Sequence, residues 1–378
     1  MSNVRSPWSG RRLLFIGQYP LSGMESAARL RIASLRDALS PLCDLTFITG
    51  TRAERRRPLW RLILSGGWRQ FDGVYVESAT STAMEADLLL LWLWHMRQTP
   101  CSVYIRDGFP LFTDIFDSRP LKHKLLKAAW HLSMWAYQRF ATFVYFPTRM
   151  LADHFSAPDR RVLSPGGTWR DDPGHVRRGV IYVGEVTPRY GVLDVLLPAA
   201  ELLAAEDPDF SLCIVCPDPQ RLADWLDRPW LRVKSAGGDE VSDLLHRAAV
   251  GVVPFNRHRY MDLALPVKLL HYLAHGLPVA VTDCSETARF VQQTDVGQVV
   301  AATPADFAAG LRQLLHDPER YRTCAANVVT AIQGPHSWGR RAETILADLC
   351  DGTAAMPADA NLSPTGVLSA PAEAPQEV

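Results

Sequence analysis

No stretch of this chain is apolar for the ~18 residues needed to cross a bilayer. The strongest candidate, Ala86–Met96 (ADLLLLWLWHM), is too short and reads as a buried helix. Cysteine is sparse. The seven are odd in number and scattered, which excludes a disulfide framework. Cys213 and Cys216 form a C-x-x-C inside the apolar run Phe210–Cys216. Strand residues three apart point to opposite faces, so these thiols cannot easily chelate one metal. A dominant charge of one sign is also missing, since 40 Lys+Arg balance 40 Asp+Glu. With no recognised nucleic-acid module either, binding to nucleic acid is disfavoured. The opening MSNVRSPWSGRRLLFIG holds no apolar segment followed by a cleavage site, so the expected place is the cytoplasm, on the inner face of the plasma membrane.

What is present is ordinary for a globular protein: 47% hydrophobic and 21% charged residues. At 378 residues the chain is long enough for two domains with separate cores. Charge supports that division. Residues 1–175 carry 23 Lys+Arg against 15 Asp+Glu, and the remainder 17 against 25.

Hydrophobic patterning alternates short apolar runs with helical periods, the signature of doubly wound parallel sheets. In the first half, strands are expected at Leu13–Gly17, Asp44–Thr49, Val74–Glu77, Ser102–Asp107 and Thr142–Phe146, with a helix over Ser26–Leu39. A polar, glycine-rich break at 164–178 (SPGGTWRDDPGHVRR) then reads as a linker. The pattern restarts with strands at Val180–Gly184, Phe210–Cys216, Leu231–Lys234, Val250–Pro254 and Gly297–Val300, and helices at Val192–Ala205, Gln220–Leu226 and Glu240–Arg247. Beyond Asp351 the composition is too poor in large apolar residues to offset ordering entropy, so a disordered tail is expected.

The densest signal is Pro266–Asp283, PVKLLHYLAHGLPVAVTD. Proline suits a helix start. Lys268 then lies where free N–H groups and the dipole favour an anion. Leu269, Leu270, Leu273 and Ala274 give a buried face, Gly276 a stop, and Leu277–Val281 a strand. This segment resembles the P-x-K-x-x-E-Y-L-A-x-G-x-P-V stretch of retaining GT-B glycosyltransferases, the large sucrose-synthase and mannosyltransferase-like group. Ile181-Tyr182-Val183-Gly184 with Pro188-Arg189-Tyr190-Gly191, Val253-Pro254-Phe255, and His336-Ser337-Trp338-Gly339 are similar to further family segments.

The resemblance implies two Rossmann-like domains facing across a cleft: an acceptor domain (11–165), a linker (166–178), a nucleotide-sugar domain (179–335), a helix crossing back (336–350), and the tail (351–378). It implies a nucleotide-sugar donor, no metal or other cofactor, and a lipid-linked or polysaccharide acceptor. The donor's diphosphate would meet Lys268 and Arg189, with Pro266, Gly184 and Glu185 beside it, and the departing phosphate would serve as base. Gly17 and Gly23 sit in the loop that the family closes over the diphosphate, although turn chemistry alone also explains them. Arg106-Asp107 stands where relatives carry histidine and aspartate. The pair would position an acceptor hydroxyl or phosphate, or else Asp107 caps the next turn.

This chain departs from the family at four places. Glu185 replaces an arginine, Tyr190 a lysine, His271 the ribose-binding glutamate, and Ala264 a second carboxylate. His271 is left either bonding a ribose hydroxyl or sitting half-buried with a local partner. Asp262 and Glu286 are the nearby carboxylates that would substitute.

Residues 52–69 mix Arg52, Arg55, Arg56, Arg57, Arg61 and Arg69 with Trp60 and Trp68, and read as a contact for an anionic membrane surface. Lys122–Arg139 has a similar mixture and reads as a helix packed in the core. The function expected is sugar transfer with retention, in cell-surface polysaccharide or glycolipid synthesis. The alternative is a non-catalytic GT-B module binding a partner glycosyltransferase or a glycolipid. No carboxylate pair suited to an epimerase is apparent.

Overall fold

Among the described residues (6–22, 27–79, 82–112, 121–171 and 174–351 of a computed structural model), twelve strands build two six-stranded, wholly parallel sheets. Gly23 and the tail from 352 lie outside the described residues. The first sheet holds β1 (Arg12–Gly17), β2 (Asp44–Thr49), β3 (Gly73–Glu77), β4 (Cys101–Tyr104), β5 (Phe143–Phe146) and β6 (Arg160–Val162), in the order β2-β1-β3-β4-β5-β6. The second holds β7 (Val180–Val183), β8 (Leu212–Val215), β9 (Leu231–Lys234), β10 (Val250–Val253), β11 (Val279–Thr282) and β12 (Gly297–Val300), in the order β12-β11-β10-β7-β8-β9. This is the two-sheet GT-B architecture. Both faces of each sheet are covered, so the central strands are near-continuous apolar runs.

Helices α1 (Ala27–Leu39), α2 (Arg52–Ser65), α3 (Glu85–Arg97), α4 (Leu121–Phe140) and the short α5 (Arg149–Ala152) connect the first sheet. Side-chain alternation along its strands sorts them into two layers. Leu14, Ile16, Val74, Val76, Val103 and Val144 pack under α2, α3 and α4. Leu13, Phe15, Tyr75, Tyr104 and Tyr145 pack under α1 and the last helix, α12 (Trp338–Leu346). A capping box begins α2, with the Thr51 side chain accepting from the Glu54 N–H and the Glu54 side chain from the Thr51 N–H.

The second sheet is wrapped by α6 (Leu197–Glu206), α7 (Asp239–Arg247), α8 (Val267–Ala274), α9 (Ser285–Thr294), α10 (Pro304–His316) and α11 (Pro318–Gln333). Cys213 and Cys216 fall in cores on opposite sides of this sheet, as strand alternation requires.

Several elements differ from the sequence expectation. Ahead of α6, Val192–Leu196 is a π-turn, because Pro198 has no N–H for the Asp194 carbonyl and the ladder widens there. Pro219–Trp225 is a 3-10 segment rather than an α-helix. The strand β6, and α10 and α11, have no counterpart in the expected pattern. The larger correction concerns α3 and α4. Neither is simply a core helix: Trp92 and Met96 on α3, and Leu121, Leu125, Leu126, Leu132 and Trp135 on α4, are exposed.

Candidate active site

Strand β7 delivers Gly184 at φ +144°, where a Cβ would stand 2.5 Å from the Lys268 Nζ. Glycine is therefore what lets the lysine lie against the backbone at the strand's end. Past the turn Pro188–Tyr190, Gly191 takes φ +64°, and a Cβ there would overlap the Pro254 carbonyl. The turn is thereby pressed onto the end of β10. Asn256 secures it further, its N–H donating to the Arg189 carbonyl at 3.2 Å and its side chain to the Pro188 carbonyl at 2.6 Å. The Arg189 side chain itself is exposed.

From the next crossover, α8 brings in Lys268. Pro266 is its N-cap, one residue earlier than a first-turn proline, with extended backbone at φ −74° and ψ 138°. Lys268 is the second helical residue. Its Nζ donates to the Tyr182 hydroxyl at 3.1 Å, and that hydroxyl donates to the Glu185 carbonyl at 2.6 Å. The nitrogen lies 4.2, 5.0 and 5.8 Å from the ring centres of Tyr182, Tyr190 and Phe255. Burial pushes its pKa down to about 7, partly opposed by the Glu185 charge. Tyr190, standing where relatives have lysine, thus closes an aromatic cage around the remaining cation. Sequence reasoning missed Tyr182 and Phe255 as cage members, although the alternation of Ile181-Tyr182-Val183 marks Tyr182 as an inward residue.

His271, one turn further on, packs edge-on against His275, with ring centres 4.8 Å apart. Burial, with the nearby Arg170 charge, lowers its pKa to about 4, so the ring is neutral near pH 7. Its carbonyl is bonded to the His275 Nδ1 at 2.9 Å, and the His275 Nε2 is 2.9 Å from the Ser242 hydroxyl.

Two other carboxylates are engaged elsewhere. Asp262 caps α9, accepting from the Ser285 N–H and hydroxyl at 2.9 Å. Glu286 is buried, accepts the Met150 N–H of the first domain at 2.7 Å, and pairs with Arg289. Glu286 thus forms a strut between the domains. The pKa of Glu286 is raised by burial, against the pull of Met150 and Arg289.

In the first domain, Gly17 ends β1 for a packing reason: a Cβ would lie 2.9 Å from the Thr49 hydroxyl and 3.0 Å from Ile32. Arg106 follows β4, with its guanidinium 4.6 Å from the Tyr19 ring centre and 3.9 Å from Glu77. Glu77 is fully buried, held by the Arg31 Nε at 2.8 Å and the Tyr75 hydroxyl at 2.6 Å. Asp107 is buried beside this group.

Tyr260 joins the halves. Its ring stacks on Phe109 at 4.6 Å, and Thr148 donates to the Leu263 carbonyl at 2.7 Å nearby. Burial raises the Tyr260 pKa, with Asp107 and Tyr190 adding to the shift and Arg189 and Arg106 opposing it. Arg106, Asp107 and Arg189 therefore share one electrostatic neighbourhood across the cleft, at the carboxyl ends of both sheets, where open α/β folds bind ligands. Among the described residues no cluster of three His, Cys, Asp or Glu is arranged to hold a metal.

Fold and site together define a two-domain GT-B protein with a cationic cleft. Residues 177–317 match the family model for glycosyl transferases group 1. TuaH of Bacillus subtilis (strain 168), named as a glycosyltransferase of teichuronic acid biosynthesis, is 25% identical over 182 residues. That match covers 46% of this chain and 42% of TuaH, less than half of either. Among solved structures, WaaG, a glycosyltransferase involved in lipopolysaccharide biosynthesis, superposes with TM-score 0.61 at 13% identity, over 89% of this chain and 99% of WaaG. A UDP-forming trehalose-phosphate synthase from Burkholderia xenovorans gives 0.58 at 14% identity, over 90% and 98%. At such identities these two structures speak for the fold.

Proposed function

We propose that this protein is a glycosyltransferase moving a sugar, with retention, from a nucleotide-sugar donor to a lipid-linked or polysaccharide acceptor, in cell-surface polysaccharide or lipopolysaccharide assembly. The observation that carries the reading is Lys268: a desolvated amine at a helix N-terminus, held at the end of β7 against the ring of Tyr190, the residue next to Arg189. Negative charge develops on the leaving diphosphate, and preorganised cations at that point lower the barrier. Arg189, exposed at the rim, supplies the second cation. Arg106 and Asp107, across the cleft, would orient the acceptor hydroxyl, and His271 would reach the donor ribose. The reaction so described takes place without metal or other cofactor, on the cytoplasmic side of a membrane that holds the acceptor.

Thermal denaturation with UDP, GDP and ADP, on wild type and Lys268→Ala, tests the reading. Saturation at about 100 times Kd adds about 2.7 kcal/mol to stability. A shift with one nucleotide, lost in the variant, names the donor class. No shift with any of them sinks the donor site.

A second reading, a non-catalytic GT-B module, draws on Tyr190 and Ala264: the cage is closed by a ring, and the Ala264 carbonyl is taken by the Thr287 hydroxyl at 2.8 Å. Nucleotide binding without turnover, over a range of glycan and lipid acceptors, would favour it.

A further inference from the structure

The helices α2, α3 and α4 form one layer over the first sheet, and their outward face is the least conventional surface of the molecule. Of the thirteen large apolar side chains exposed among the described residues, eight lie on these three helices: Leu64 on α2, Trp92 and Met96 on α3, and five on α4. On α4 four of them form a stripe. Leu121 (72% exposed), Leu125 (64%), Leu132 (56%) and Trp135 (55%) fall at spacings of four, seven and three residues. At 100° per residue they span about 80° of the helix surface. The opposite side, Trp130, Met134 and Tyr137, is the one buried against the sheet.

Charge indicates what covers this stripe. The twenty residues of α4 contain no Asp or Glu, while Lys122, Lys124, Lys127 and Arg139 stand among the apolar residues. On α2, which packs beside α3, Arg57 and Arg61 are exposed, whereas Arg55 is spent on a buried ion pair with Asp87 at 2.8 Å and Arg56 on Glu85. Leucine and tryptophan along one line with lysines beside them match the interfacial zone of an anionic bilayer: acyl chains for the stripe, phosphates for the cations, the headgroup level for the indole.

We infer that the outward face of this layer docks on an anionic lipid bilayer, with α4 lying in the interfacial plane as the principal contact and α2 supplying only peripheral charge. This moves the membrane contact expected at 52–69 to 121–139. It rests on the glycosyltransferase reading only for its purpose, that of bringing the cleft to an acceptor held in the membrane.

Co-sedimentation of the full chain at low salt would use vesicles of phosphatidylcholine alone and of equal parts phosphatidylcholine and phosphatidylglycerol. Wild type should pellet with the anionic vesicles only. Leu125→Glu/Leu132→Glu should abolish pelleting, and Lys122→Glu/Lys124→Glu should weaken it by about twenty-fivefold or more, about fivefold for each lysine removed. Arg57→Glu/Arg61→Glu should weaken it less than either. The substituted side chains are exposed, so each variant should keep its fold and its nucleotide-dependent thermal shift, which separates loss of docking from failure of the donor site. Absence of pelleting for wild type overturns the inference, as does pelleting unaffected by the α4 changes. A wild-type dimer dissolved by Leu125→Glu/Leu132→Glu, with no vesicle binding, would show the face to be a self-interface and also overturn it.

Discussion

The Lys268 ammonium nitrogen lies 3.1 Å from the Tyr182 hydroxyl, whose proton is committed to the Glu185 carbonyl. The tyrosine thus presents a lone pair to the lysine while its ring and two others remove water from it. A cation in such a place is held in position but poorly solvated, and an incoming diphosphate would restore what burial takes away.

The first prediction is proton uptake. With a pKa near 7 in the free protein, Lys268 is largely neutral at pH 8 and must be charged to hold a diphosphate. Nucleoside diphosphate binding should take up a proton at pH 8, and the apparent Kd should rise up to tenfold per pH unit above 7. Calorimetry in buffers of differing ionisation enthalpy measures this; equal heats in all buffers would refute it. Without ligand the sign reverses. The unfolded lysine keeps its proton to about pH 10.4, so the unfolded state binds more protons above pH 7 and stability should rise with pH in that window. Lys268→Met should remove this slope.

Gly184→Ala should mimic loss of Lys268. The new methyl group would fall 2.5 Å from Nζ and force a non-glycine residue to φ +144°. Nucleotide affinity should drop at least tenfold while the first domain keeps its structure. Binding at the wild-type level would show that the lysine is free to hold its ligand from another position.

Acid should destabilise the protein through its buried, edge-packed histidines. His271 and His275 are held to pKa values of about 4 and about 3, chiefly by burial. The unfolded chain protonates them near 6.5. As pH falls below 6.5 the unfolded state gains protons that the folded state refuses, so stability falls toward pH 4. His271→Leu should flatten a plot of Tm against pH between 4 and 6.5, and an unchanged slope would assign acid sensitivity to other groups.

Glu77→Gln leaves Arg31 buried without its counter-charge. The expected loss is about 3–5 kcal/mol in urea unfolding, and Arg31→Met in the same chain should recover much of it. A cost below 1 kcal/mol would mean that Tyr104, whose ring centre lies 3.6 Å from the guanidinium, and Trp338 already satisfy the cation.

The strands were legible in the sequence because buried parallel strands are short apolar runs, and Leu13–Gly17, Val250–Val253 and Val279–Thr282 read as such without context. Strand β6, Arg160-Arg161-Val162, was not: an edge strand of charged residues has no apolar run to announce it. The segment around Lys268 was legible too, since a helix start, a cation and a stop are local. Its cage was not, because Tyr182 stands 86 positions away and meets the lysine only when β7 and α8 lie side by side. Likewise Glu286 looked like a free carboxylate until folding set it against the Met150 N–H.

Helix α4 marks the boundary most plainly. Composition alone determined that Lys122–Arg139 is helical, basic and apolar on more than one side, and such a helix has two stripes equally fit for burial. The tertiary structure decided between them. One side of a helix can face the sheet, and Trp130, Met134 and Tyr137 take it, so Leu121, Leu125, Leu132 and Trp135 are left outside.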